Sequence, residues 1–173
     1  MTTTEHHRQK DDLMTTTERA HWQALAVHRP DDVPTFTPMS WQIEKHDEHS
    51  DRLVNNALPI DHPHPVERGD ADDALAALAL RESIRRQIES ERGTRIHEAL
   101  RLGATWSQVA AALDVPVDDA RAALRAWAEG QHRLHRGDGA GGGRRPYGLD
   151  DEQHAAVVAL VELGDEETAA AAV

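Results

Sequence analysis

Two arginines with helical spacing are the residues of this chain best suited to bind phosphate. Arg121 and Arg125 lie four residues apart, so both fall on one side of a predicted helix. A guanidinium can donate paired hydrogen bonds to a phosphate or to the edge of a guanine. Asp118, on the same helix, could accept a hydrogen bond from the amino group of cytosine. Asp118 and the adjacent Asp119 also repel phosphate, and the alternative is that Asp118 pairs with Arg121 on a solvated face.

The segment from Gly103 to Trp127 must position these side chains, and it predicts a helix, a tight turn and a second helix. Apolar residues recur at intervals of three and four on each side of the turn, which gives each helix one buried face. Asp114 stands at the turn, where we expect a left-handed backbone, and Pro116 stands near the start of the second helix. This spacing is typical of a helix-turn-helix, and the alternative is an ordinary helical hairpin. The expected core positions are Val109, Ala110, Leu113, Val115, Ala120, Leu124 and Trp127.

The run GATWSQVAAALDV, residues 103–115, resembles the helix-turn-helix segment of small actinobacterial DNA-binding proteins and of sigma-factor-type modules. The resemblance implies that the second helix lies in the major groove, with exposed side chains of its N-terminal half at base edges. This chain departs from the pattern at Asp114, which replaces the turn glycine, and at Pro116, which replaces a small polar residue. The residues implied in DNA binding are Asp118, Arg121, Ala122 and Arg125 at the bases and Arg133 and Arg136 at the backbone.

Charge is distributed unevenly along the 173 residues, whose net charge is −12. The balance is −8 over residues 1–77, +2 over 78–136 and −6 over 137–173. The middle segment is therefore the only part that does not repel a polyanion. The chain has no cysteine, which excludes disulfides, thiolate metal sites and a cysteine nucleophile. We expect a cytoplasmic protein without a membrane span.

Composition and local signals together predict an all-α protein: a small helix-turn-helix domain preceded by a long helix, with disordered acidic tails. Only six residues are aromatic, so we expect a small core. The predicted parts are a mostly disordered acidic tail over 1–69, a helical helix-turn-helix domain over 70–136, a glycine-rich linker over 137–148, and a short C-terminal helix and tail over 149–173.

The long helix is expected over residues 71–102, with a kink or a break at Gly93 because the apolar stripes on either side are out of phase. This helix could supply a homodimer interface, since a lone helix-turn-helix offers little binding area. For the C-terminal helix, Asp150 is a predicted N-cap with Gln153 three residues on, as in a capping box.

Other constellations in the sequence predict little chemistry. The twelve histidines form no set of three or four ligands at a recognised structural spacing, and we expect no metal and no cofactor. No catalytic arrangement is apparent, so we expect a protein that is not an enzyme. Trp22 and Trp41 are isolated aromatics in an acidic segment, where they could anchor a protein partner.

The leading hypothesis from the sequence is a DNA-binding transcriptional regulator. The alternative is a protein-interaction adaptor that uses a degenerate helix-turn-helix as a docking module, because this fold serves both purposes. Salt dependence separates the two, since phosphate contacts weaken steeply with salt and an apolar docking surface does not.

Overall fold

A computed structural model of the chain describes residues 16–138 and 147–169. This part is all-helical, and none of its helices is both long and apolar enough to cross a membrane. The chain divides within its longest helix into two compact units, Met1–Gln87 and Ile88–Val173. The elements are α1 (16–24), a 3-10 turn (Pro30–Asp32), α2 (Met39–Asn55), α3 (Ala71–Arg101), α4 (Trp106–Leu113), α5 (Val117–Asp138) and α6 (Asp151–Val161).

The first unit is folded over residues 16–69, so the prediction of a mostly disordered segment over 1–69 is not confirmed there. Residues 1–15 lie outside the described residues. Trp22 and Val27 are buried together with Ala79 and Leu80 of α3. The indole of Trp22 donates to the carbonyl oxygen of Trp41 at 3.2 Å, so Trp22 is a core residue and not a free anchor for a partner.

Buried polar side chains complete this small core. The Lys45 ammonium is nearly inaccessible and donates to the carbonyl oxygens of Trp22 at 3.0 Å and Gln23 at 2.8 Å. These carbonyls belong to the last turn of α1, where helix carbonyls run out of partners within the helix, and that of Trp22 also accepts from the N–H of Leu25 at 3.1 Å. Burial lowers the pKa of Lys45. Such contacts between distant residues leave no period in the sequence, which is why a pattern search misses them.

An ion-pair cluster joins α2 to the start of α3. The Asp73 carboxylate lies 2.7 Å from Nδ1 of His49 and 3.0 Å from the Arg52 guanidinium, and Arg52 also pairs with Glu67 at 3.0 Å. The hydrogen bond with His49 and, after it, the one with Arg52 lower the pKa of Asp73 to about 2. Because ionised Asp73 is favoured in the folded state, the cluster stabilises this unit above the ordinary carboxyl pKa.

Removing the Asp73 charge is expected to destabilise the first unit in a pH-dependent way. Because the folded-state pKa lies near 2 and the ordinary value is 3.8, the contribution is present above pH 4 and disappears as the pH falls to about 2. Asp73→Asn should cost about 1–2 kcal/mol at pH 7 and little at pH 2. Urea unfolding at several pH values measures this. Asp72→Asn, in the same helical turn but exposed, is the control, and an equal effect there would contradict the cluster's role.

The second unit has its own core, formed where α4 and α6 pack against α5. Trp106 and Leu124 are fully buried at its centre. Small residues on α5 let its neighbours approach closely, so this core needs only one fully buried aromatic ring among the described residues. The buried residues are Ile96, Leu100, Trp106, Val109, Ala120, Leu124, Ala128, Val157 and Val161.

The predicted break at Gly93 is absent, because α3 continues through this residue. A β-carbon added at Gly93 would lie 2.2 Å from Cβ of Trp127, far inside van der Waals contact. Glycine therefore allows α3 and α5 to touch at this point. This tertiary contact accounts for a glycine inside a long helix, and the local sequence does not reveal it.

Gly93→Ala should destabilise the protein, although alanine is the better helix former. The added methyl would collide with Trp127, and overpacking of this kind costs about 1–3 kcal/mol. Gly130→Ala is a matched control in α5, where the nearest atom to an added β-carbon is the end of the Arg133 side chain at 4.0 Å. It should stabilise the protein by about 0.5–1 kcal/mol through helix propensity. Urea unfolding followed by helical circular dichroism compares them, and a gain in both variants would contradict the close contact.

Candidate nucleic-acid interface

The first helix of the interface, α4, begins with a capping box. The Thr105 hydroxyl accepts from the backbone N–H of Gln108, and the Gln108 side chain accepts from the N–H of Thr105 at 3.0 Å. Trp106 follows at the first helical position with 0% of its surface exposed, and its indole donates to the carbonyl oxygen of Leu160 at 2.9 Å. The cap therefore fixes where α4 begins, and Trp106 fixes α4 against α6.

The turn between α4 and α5 is built on Asp114. Its backbone is left-handed, with φ of 53° and ψ of 46°. The N–H of Asp114 donates to the carbonyl oxygen of Ala111, and the N–H of Val115 donates to that of Ala110 at 3.1 Å. This is the Schellman pattern that ends a helix, with aspartate where glycine is usual. The predicted helix, tight turn and second helix are thus present, with the turn residue in the expected conformation.

Substitutions at Asp114 should have opposite effects according to their tolerance of positive φ. Asp114→Gly should stabilise the second unit by about 0.5–1 kcal/mol, because glycine adopts this conformation without a steric penalty. Asp114→Val should cost about 1–2 kcal/mol, because a β-branched side chain is strained there. Thermal unfolding measures both changes. A stabilising valine would mean that the turn adopts another conformation in solution.

The structure buries the predicted motif core to different degrees. Four of its members are buried and three are half-buried against the same cluster. What the sequence did not reveal is that α6 completes this core with Val157 and Val161. The buried members are Val109, Ala110, Ala120 and Leu124, and the half-buried members are Leu113, Val115 and Trp127.

Both predicted phosphate-binding arginines contact the segment that follows α6. The Arg121 guanidinium donates to the carbonyl oxygen of Leu163, lies 3.0 Å from the Asp165 carboxylate and sits 5.4 Å from the centre of the Trp106 ring. Only 21% of its side chain is exposed. Arg125 pairs with Glu162 at 3.1 Å and remains about half exposed. Arg121 therefore pairs with Asp165 and not with Asp118, which removes that alternative.

Residue Ser107, in the first turn of α4, contacts the same segment. Its N–H donates to the carbonyl oxygen of Asp165 at 3.0 Å, and its hydroxyl donates to the Glu166 carboxylate. We call Ser107, Arg121 and Arg125 the donor face, and residues 162–167 the acidic turn. The acidic turn supplies carbonyl and carboxylate oxygens, and the donor face supplies N–H and O–H groups.

The remaining predicted residues lie on the exposed side of α5. Asp118 and Ala122 are exposed near its N-terminus. Arg133 is exposed and lies 4.0 Å from Glu129, and Arg136 is exposed in the last turn. The arginines predicted to contact base edges thus bind the segment after α6, whereas those predicted to contact the DNA backbone face solvent.

A local cap and a contact with α5 fix the start of α6. The predicted capping box is present, with Asp150 accepting from the N–H of Gln153 at 2.8 Å. His132 lies 2.7 Å from the Asp151 carboxylate and stacks on His154 with ring centres 4.4 Å apart. The hydrogen bond with His132 lowers the pKa of Asp151. These contacts fix the orientation of α6 and thereby the place where the acidic turn begins.

Comparison with known proteins finds no matching family model, no similar curated protein and no similar solved structure.

Proposed function

We propose that this chain is a DNA-binding transcriptional regulator in which α4 and α5 act as a helix-turn-helix. The arrangement of the donor face supports this proposal. Ser107, Arg121 and Arg125 come from two helices, yet all of them donate to oxygen atoms of one short acidic segment. A run of phosphates presents oxygen acceptors of the same kind to a helix N-terminus and to arginines.

In the proposed complex, the first turn of α4 and the arginines of α5 share the binding of DNA. The Ser107 N–H and hydroxyl at the start of α4 would contact a phosphate, while Arg121 and Arg125 would reach phosphate or guanine. Arg133 and Arg136 would hold the backbone further along α5, and Asp118 and Ala122 would face the bases. Such a regulator would act in the cytoplasm, with its DNA.

A homodimer through α3 would enlarge the binding area. Leu75 and Leu78 are large apolar side chains on this helix that remain about half and two-thirds exposed. Apolar residues three apart on an exposed helix face suit pairing with a second copy. Two copies would read two half-sites, as dimeric helix-turn-helix proteins do.

Fluorescence anisotropy of the full chain with random duplex DNA, at several salt concentrations, tests DNA binding. The wild type should bind with an affinity that falls steeply as salt rises. Arg121→Ala/Arg125→Ala should weaken binding at least about tenfold and lower the salt slope by about two, because each lost phosphate contact removes about 0.9 from it.

The charge-matched control is Arg29→Ala/Arg95→Ala, which removes two exposed arginines outside the donor face. It should change the affinity less than about threefold, since it removes only long-range attraction. Equal losses in the two double variants would contradict a specific role for the donor face. Circular dichroism of each variant confirms that its helices are retained.

A second candidate function is a protein-interaction adaptor, which the exposed face of α5 favours. This face presents Asp118, Asp119, Ala122 and Ala126. The two carboxylates oppose phosphate, and the alanines leave a flat surface that a protein partner could cover. If neither the wild type nor a Glu162→Gln/Asp165→Asn/Glu166→Gln variant binds duplex DNA at low salt, the adaptor is favoured.

A further inference from the structure

We propose that the acidic turn is a built-in competitor for DNA, which occupies the donor face and must leave before phosphates can bind. This inference rests on the proposed function and names its regulation. The acidic turn contains Glu162, Asp165, Glu166 and Glu167, so it brings four carboxylates to the edge of the most basic part of the chain. It therefore imitates a short stretch of phosphates in both charge and hydrogen-bonding capacity.

Each donor of the donor face is already taken by this segment. The Ser107 N–H and hydroxyl bind a carbonyl oxygen and a carboxylate, and the two arginines bind one carbonyl oxygen and two carboxylates. A phosphate cannot approach Arg121 closely while Leu163 and Asp165 hold its guanidinium. DNA and the acidic turn are thus mutually exclusive ligands of the donor face.

The acidic turn fits the donor face less completely than phosphate can. Nε of Arg121 is buried and has no hydrogen-bond partner in this closed arrangement. A phosphate that receives two parallel hydrogen bonds from a guanidinium can use this atom together with a terminal nitrogen. If the acidic turn left and DNA bound, Nε of Arg121 would therefore gain the hydrogen-bond partner that it lacks while the turn is in place.

The acidic turn can leave while α6 stays in place. Val157 and Val161 of α6 are almost completely buried in the core, and Leu160 accepts from the Trp106 indole. Beyond Val161 the backbone leaves the helix, and the acidic side chains of the turn are mostly exposed. Leu163 of the turn packs partly buried against the core, but the ion pairs of the turn are exposed and contribute little each, so a polyanion can replace them.

The closed state should lower the apparent DNA affinity by the fraction of molecules that are open. Neutralising the turn with Glu162→Gln/Asp165→Asn/Glu166→Gln should raise the affinity for duplex DNA about tenfold at moderate salt. The matched control, Asp51→Asn/Asp61→Asn/Glu152→Gln, removes the same charge at exposed positions outside the acidic turn. It should raise the affinity less than about threefold, through net charge alone.

Hydrogen exchange of the Ser107 amide gives a readout that needs no DNA. This amide donates to Asp165, so it should be protected in the wild type and in the control and should exchange faster in the neutralised variant. Equal DNA affinity of wild type and neutralised variant would overturn the competitor while leaving DNA binding intact. Faster exchange with no DNA binding in any variant would overturn the proposed function, and the competitor with it.

A locked variant tests the proposal without removing any of the turn's interactions with the arginines. Because the chain has no cysteine, Ser107→Cys/Glu166→Cys can be joined selectively by a short bifunctional thiol reagent that a reductant cleaves. The joined protein should lose at least about tenfold in DNA affinity relative to the same protein after cleavage. Equal binding before and after cleavage would overturn the competitor even if the neutralised variant failed to fold.

Discussion

The buried indole of Trp106 is the interaction on which the second unit depends. Its ring fills the core where α4 and α5 meet, its N–H is satisfied by the carbonyl oxygen of Leu160, and its face lies beneath the Arg121 guanidinium. A buried indole needs a partner for its single donor, and here only α6 supplies it. One side chain therefore links the packing of the core to the position of α6 and of the arginine above it.

Two backbone positions set how closely the helices around Trp106 can approach. Asp114 accepts a left-handed conformation, which ends α4 and turns the chain into α5 over a few residues. Gly93 lacks a side chain where Trp127 reaches α3. Together with the alanines of α5, these positions explain how a chain with so few aromatic residues builds a dense core: the backbones come close, and less side-chain volume is needed to fill the space.

The sequence predicted the features that local physics determines. Capping by Asp150, the left-handed Asp114 and the buried face of α5 each depend on residues within a few positions of one another. Features that depend on distant residues were missed. Nothing near Arg121 in the sequence indicates Asp165, and nothing near Lys45 indicates that its ammonium caps α1. Nothing near Gly93 in the sequence indicates its contact with Trp127.

Charge distribution connects the fold to the proposed function. The chain's net charge is strongly negative, yet the residues that would bind phosphate are concentrated in the segment with a small positive balance. The acidic turn places part of the negative charge in direct contact with those residues, at hydrogen-bonding distance. Long-range repulsion is screened by salt, whereas in the proposal a competitor in contact is displaced most effectively by a ligand that binds the same donors. Under the proposal, this arrangement favours a ligand that satisfies Ser107, Arg121 and Arg125 together over weak, non-specific attraction to polyanions.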